Sequence, residues 1–157
     1  MLIFGLKGRI DDYYQKDFVN INIISEQLVW DIEKTYGKKF PPVELNIRLS
    51  EKVETGIRYK DNSKILQLFL PSRIMDFNSN QKRAYLAHEF GHYVLGHLDH
   101  QNPLVASFFG IRDLDREIEA DSFTLKFSSP EDLSLDIKIL IWDENEKKAR
   151  IDALSEN

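Results

Sequence analysis

The sequence predicts an α+β fold in which a small three-stranded twisted sheet packs on two helices, with additional C-terminal helices. Three observations lead there. Residues 22–36 carry apolar side chains at helical spacing, residues 43–70 hold three short runs of strand character, and from residue 79 onward the pattern is helical again. At 157 residues the chain is long enough for one domain to bury a core without staples. It is read as a single domain, 1–157, with an N-terminal helical segment over 1–40, a central core over 41–127 and C-terminal helices over 128–157.

Each element has its own signal. Ile24, Leu28 and Ile32 step by four, with Trp30 and Tyr36 nearby, which predicts an amphipathic helix over 22–36. Gly37 ends it, and Pro41-Pro42 forbids its return. Val43 to Leu49 alternates apolar and polar residues, the pattern of a half-buried strand. Gly56 to Lys60 reads as a second strand and Ile65 to Leu70 as a third, joined through Asp61-Asn62-Ser63 as a hairpin. Asn78 followed by Gln81 is an N-cap pair opening a helix at 79, which Gly96 ends near His97. Residues 101–113 form a connector whose Phe108-Phe109 pair suits either core or the wall of a pocket. The next helix runs from 113–115 to Phe127. Ser129-Pro130-Glu131-Asp132 then supplies cap, proline at N1 and acid at N3 for a helix to Trp142, apolar on most of its circumference and expected to be buried. A last helix holds Arg150, Ile151 and Leu154.

The chemistry lies in two short runs. Residues 88–92 read His-Glu-Phe-Gly-His, and 25 positions past His92 comes Glu117, within Arg116-Glu117-Ile118-Glu119-Ala120-Asp121. Side chains four apart on a helix share a face, so His88 and His92 can bind one metal ion. Glu89 is offset by about 100°, which aims its carboxylate at a water on the metal rather than at the metal. Zinc lowers the pKa of such a water from about 15.7 to about 7, and the carboxylate can take its proton. A catalytic zinc needs a third protein ligand and one open position. Glu117 is the expected third ligand, and Asp121, four residues on, is placed to accept the far N–H of His88. A lone His-Glu-x-x-His is a weak signal on any helix. Here all four histidines, His88, His92, His97 and His100, fall in one 13-residue stretch beside the acidic pair, which favours a zinc site. His97 and His100 are off the ligand register and read as surface or helix-end histidines, or as a substrate contact or a fourth ligand in a latent state.

Ala87-His88-Glu89-Phe90-Gly91-His92 with Arg116 to Asp121 resembles the gluzincin metallopeptidases, in particular the soluble minigluzincins and the branch with the CAAX prenyl proteases and heat-shock membrane endopeptidases. Arg150-Ile151 followed by Leu154 resembles the Arg-Ile-x-x-Leu that closes their catalytic domain. The likeness spans about residues 55–155. It implies a zincin-like fold, Zn2+ held by His88, His92 and Glu117 (not Glu119), and an endopeptidase in which Glu89 activates the metal-bound water. It also makes Arg150 the first candidate to stabilise the oxyanion, ahead of Tyr93 and Tyr85, with an exposed salt-bridging arginine as the plain alternative. Relatives often carry His-Pro just before the Arg-Ile, where this chain reads Asp143-Glu144-Asn145-Glu146-Lys147-Lys148. Such sites set an edge strand above the metal, and Ile65 to Leu70 is read either as core or as that docking strand. Leu86 to His97 also resembles the ImmA/IrrE antirepressor proteases, which shifts the substrate to a repressor and leaves the mechanism alone. A metzincin would need Gly at 95 and His at 98, and both are Leu.

Composition narrows the class. The chain has no cysteine, which excludes disulfides and Cys-ligated zinc and suits a cytoplasmic setting. The apolar run Met1 to Leu6 is shorter than the roughly 7–15 residues of a signal peptide's core, and nothing approaches the roughly 18 apolar residues of a membrane span. A net charge of −5 without a basic stripe argues against nucleic acid, and Lys147-Lys148-Ala149-Arg150 reads as a solvated helix face. The expected partner is a peptide or protein substrate. A different class of function is also open: a latent or regulatory zinc protein whose C-terminal helices block the water position.

Overall fold

The computed structural model describes residues 12–48, 55–61, 63–98 and 113–156. The fold is α+β, with five α-helices and one three-stranded mixed sheet among the described residues. The 101–112 connector with its two phenylalanines, Asn62 of the hairpin turn, and His100 lie outside them. The chain divides into two compact units, 1–83 and 84–157.

In the first unit, α1 spans Asp12–Tyr36, beginning ten residues before the expected start at 22. The reason is visible in its buried face: Phe18 and Ile21 extend the Ile24, Leu28, Ile32 stripe backwards at the same helical spacing. Gly37 ends the helix as expected, with φ +67° and its N–H on the Glu33 carbonyl at 2.8 Å. The Glu33 carboxylate then accepts the Phe40 N–H at 2.7 Å, fixing the chain's path into the sheet.

The sheet consists of β1 (Val43–Arg48), β2 (Gly56–Tyr59) and β3 (Leu66–Pro71) in the order β1-β3-β2. β1 runs parallel to β3, pairing Val43 with Leu66 through Arg48 with Pro71, and β2 runs antiparallel as the predicted hairpin. β3 is therefore the central strand. The expectation that it could serve as an open edge for an extended peptide is corrected, because both its edges already carry hydrogen-bonded neighbours. Its side chains agree: Leu66, Leu68 and Leu70 are fully buried and Phe69 nearly so. An apolar run without alternation is what a strand covered on both faces needs. A short 3-10 helix, Ser72–Asp76, follows and buries Ile74 and Met75.

The second helix, α2 (Ser79–Val94), opens with the predicted capping box: the Gln81 N–H donates to Asn78 Oδ1 at 2.9 Å, and the Asn78 N–H donates to Gln81 Oε1 at 3.2 Å. Within the second unit its residues 84–91 are all buried, so this stretch of α2 is a core helix. Three further helices complete the unit: α3 (Leu114–Thr124), α4 (Pro130–Leu140) and α5 (Glu144–Ser155). α4 starts as predicted, with Ser129 Oγ accepting the Asp132 N–H at 3.2 Å and Pro130 at its first position. It is not buried all round, however. Leu133 and Ile137 pack with Ala84, Leu125, Ile141, Ile151 and Leu154, whereas Leu135 and Ile139 face outward and Trp142 is 75% exposed. Apolar composition alone overstated the burial. Among the described residues no helix is long and apolar enough to cross a membrane.

Candidate metal centre

The site is assembled by α2, α3 and α5, and its chemistry begins at the α2–α3 crossing. Gly91 makes that crossing close: a Cβ there would sit 2.9 Å from Phe123 Cδ1 and 3.5 Å from the Ala120 Cα. Gly91 is thus a spacing device that lets α3 pass close against the histidine-bearing turn. α3 presents Glu117 and Asp121 from one face, as the i, i+4 spacing requires.

His88 Nε2 and His92 Nε2 face each other at 3.1 Å. Glu117 closes the triangle, with Oε2 3.1 Å from His88 Nε2 and Oε1 3.6 Å from His92 Nε2. Ligand atoms lying about 2.0–2.1 Å from a tetrahedral zinc stand about 3.3–3.4 Å from one another. These separations, taken over both Glu117 oxygens, lie near that value, and with one ligand atom from each residue the three groups stand within 4.8 Å of one another, so they could hold one metal ion. Among the described residues this group has three members, His88, His92 and Glu117. Two imidazoles and one carboxylate are the donor chemistry zinc prefers when cysteine is absent.

Asp121 and Arg150 stand behind the ligands. Asp121 Oδ1 accepts from His88 Nδ1 at 2.8 Å, which leaves His88 Nε2 for the metal. Arg150 grips the same carboxylate with two hydrogen bonds, Nε to Oδ2 and Nη2 to Oδ1, both 2.8 Å. Its Nη1 donates to Glu117 Oε2 at 3.1 Å and to Glu146 Oε1 at 3.2 Å. Nη2 also lies 3.4 Å from His88 Nδ1, where two N–H donors converge on the one Asp121 oxygen. Arg150 is 3% exposed. The role of oxyanion donor expected for it does not suit this placement, because its N–H groups are directed at the carboxylates of Asp121, Glu117 and Glu146. It is a positioning residue, not the exposed salt-bridging arginine of the plain alternative. The cationic stretch 147–150, read as one solvated face, is in fact divided: Lys148 is exposed and Arg150 buried.

The electrostatics follow from this packing. Burial works to lower the His88 pKa, but its hydrogen bonds to Asp121 and Glu117 outweigh it and raise the value to about 9. His92 goes the other way. Burial and the neighbouring His88 push it down to about 3. Burial tends to raise Glu117 and Asp121, yet the His88 hydrogen bond and nearby positive groups hold both well below the usual carboxylate range. Arg150 is likewise held in its charged form: burial opposes this, and the Asp121 hydrogen bonds prevail. The Glu117 carboxylate is therefore held in its ionised form, the form in which a carboxylate can bind a cation.

Glu89 lies on α2 between the two histidines and is 9% exposed. It does not belong to the ligand group, as its offset around the helix predicts.

Sequence reasoning missed His97. It is no surface histidine: it is 6% exposed, its Nδ1 lies 2.9 Å from His92 Nδ1, and its Nε2 lies 2.9 Å from Glu119 Oε2. The available signal was Gly96. With φ +76° it reverses the chain in a Schellman turn, Gly96 N–H to Tyr93 O at 3.1 Å and His97 N–H to His92 O at 2.9 Å. That turn folds His97 back onto His92. Comparison with protein-family models, with curated proteins and with solved structures returned no match for this chain.

Proposed function

We propose that this protein is a zinc-dependent endopeptidase of zincin-like fold, with His88, His92 and Glu117 as ligands and Glu89 as the catalytic carboxylate. The observation that carries the reading is the convergence of His88, His92 and Glu117, one ligand atom from each within 4.8 Å of the others, backed by a carboxylate on the far side of His88. A zinc ion held by these residues would supply Lewis acidity, polarising a carbonyl oxygen and lowering the pKa of a water to about 7. Glu89 takes the proton from the attacking water and hands it to the leaving amine. Asp121 holds the proton on His88 Nδ1, and Arg150 neutralises the two buried carboxylates so that they can sit this close. With Arg150 so committed, the oxyanion donor on this reading falls to Tyr93 of α2, which is half-buried, ahead of Tyr85, whose hydroxyl is buried.

A structural zinc site gives no reason for a carboxylate at position 89, whereas peptide hydrolysis requires one there. The latent alternative needs a further imidazole or carboxylate in the water's place, whereas among the described residues the donor group has three members. The deciding experiment is metal content by mass spectrometry with casein cleavage on the same samples. Wild type and Glu89→Gln should each hold about one zinc, and His92→Ala none. Only wild type should cleave, because loss of the acid–base group costs about 10²–10⁴-fold. Cleavage retained in Glu89→Gln would sink the catalytic assignment, and a zinc-free wild type would sink the site.

A further inference from the structure

His97 and Glu119 are not among the ligands, yet both are drawn into a line that ends on one. His88 Nε2 faces His92 Nε2 at 3.1 Å, His92 Nδ1 faces His97 Nδ1 at 2.9 Å, and His97 Nε2 faces Glu119 Oε2 at 2.9 Å. Each neutral imidazole has one N–H donor and one bare nitrogen acceptor. A line of such rings must therefore point one way. Glu119 sets the direction, because a carboxylate only accepts. His97 donates from Nε2 to Glu119, which leaves its Nδ1 bare. His92 then donates from Nδ1 to His97, which leaves its Nε2 bare and aimed at His88 and Glu117.

We infer that His97 and Glu119 form a positioning dyad that fixes His92 as its Nδ1–H tautomer and presents the Nε2 lone pair to the metal. His88 obtains the same service from Asp121, so each histidine ligand is oriented from behind, one directly by a carboxylate and the other through a second imidazole. The device is built into the helix end. Gly96 at φ +76° is what brings His97 back over His92, and Glu119 reaches it from the same helix that carries Glu117. Without the dyad, His92 Nδ1 would lose its acceptor, and the proton would be free to move to Nε2, where it blocks ligation.

The inference rests on the zinc reading for its affinity arm only. The tautomer arm uses the metal-free protein. Nitrogen-15 chemical shifts of the histidine side chains report which ring nitrogen carries the proton, and chelator competition reports the zinc dissociation constant. In wild type the His92 proton should be on Nδ1. In His97→Ala it should spread to Nε2, with the zinc dissociation constant raised about 10–100-fold, the usual cost of losing a ligand's supporting partner. His97→Gln, whose amide oxygen can accept from His92 Nδ1, should recover most of the affinity. Glu119→Ala alters a side chain that is 63% exposed, so it leaves the packing alone and should shift the tautomer in the same direction. A merely structural histidine would give no rescue by glutamine and no tautomer change. A His92 proton found on Nε2 in wild type, or an unchanged tautomer in both His97→Ala and Glu119→Ala, overturns the dyad. A wild type that keeps the Nδ1 proton but binds no zinc would instead overturn the metal reading and leave the dyad standing.

Discussion

Replacing Arg150 by methionine keeps an unbranched side chain in place and deletes its charge. Asp121 then loses two of its three hydrogen bonds, keeping the one from His88, and Glu117 loses its contact with Nη1. Both sides of the Arg150–Asp121 pair are 3% exposed, so water cannot replace what is lost. Breaking a buried pair by removing one partner costs about 3–5 kcal/mol, against about 1 kcal/mol or less for an exposed pair. For a domain of this size each kcal/mol moves the midpoint by about 2–4 °C, so metal-free Arg150→Met should melt about 6–20 °C below wild type. Urea unfolding with a chelator present, followed by circular dichroism, measures it directly. Lys148→Met on the same helix is the control, since that side chain is 79% exposed and should change stability by about 0.5 kcal/mol at most. Zinc should narrow the Arg150→Met deficit, because a divalent ion beside Glu117 returns positive charge to the cluster. A loss below about 1 kcal/mol in the metal-free protein would refute the reasoning and return Arg150 to the class of surface pairs.

Other outcomes follow from the same geometry. His88, raised to about 9, carries a second ring proton near neutral pH, while His92, lowered to about 3, is neutral and keeps only one. Zinc must displace that second His88 proton, so calorimetry in buffers of different ionisation enthalpy should find about one proton released near pH 7, with affinity rising about tenfold per pH unit toward pH 9; no release would contradict the His88 assignment. The folded-state pKa of His88 lies above its ordinary 6.5, so its contribution to metal-free stability is complete below 6.5 and is lost as pH rises through about 9. Urea titrations across that window should show the midpoint falling with pH. Gly91→Ala gains about 1 kcal/mol of helix propensity but drives a methyl to 2.9 Å from Phe123, a ring 3% exposed. Overpacking costs about 1–3 kcal/mol, so the net effect should be a loss of stability and weaker zinc binding, both relieved by adding Phe123→Leu. A stabilised Gly91→Ala with unchanged zinc affinity would show that the helices are not held apart by that contact.

Local signals in the sequence were legible because local physics decides them. The Asn78–Gln81 capping box, the Ser129-Pro130 start, the Gly37 stop and the β2–β3 hairpin each depend on a few adjacent residues, and each formed as expected. Strand order does not work that way. Nothing within Ile65 to Leu70 says whether β1 will pair beside it, so its central place in the sheet had to come from the structure. Burial of α4 failed for a related reason, since apolar Leu135 and Ile139 show the helix period but not which side has a partner. In the site, the i, i+4 spacings brought His88 to His92 and aligned Glu117 with Asp121. Arg150 was found as a residue, but its pairing with Asp121, Glu117 and Glu146 was not, because sequence gives the length of a guanidinium's reach and not its direction. His97 was missed because ligand register was judged along a continuous helix, and Gly96 reverses the chain one residue before it.

The order in which the chain supplies this site has a consequence for how it is made. During synthesis His88 and His92 emerge first, Glu117 follows 25 residues after His92, and Arg150 only 33 residues after that. Until the guanidinium arrives, closing α3 onto α2 would bury the Asp121 charge with only His88 to offset it, at a cost of several kcal/mol. The buried cluster of Asp121, Glu117 and Arg150 is thus expected to close only once α5 is available. An ion held by His88, His92 and Glu117 would on this account enter a unit whose buried charges already balance, and its removal should leave that unit folded.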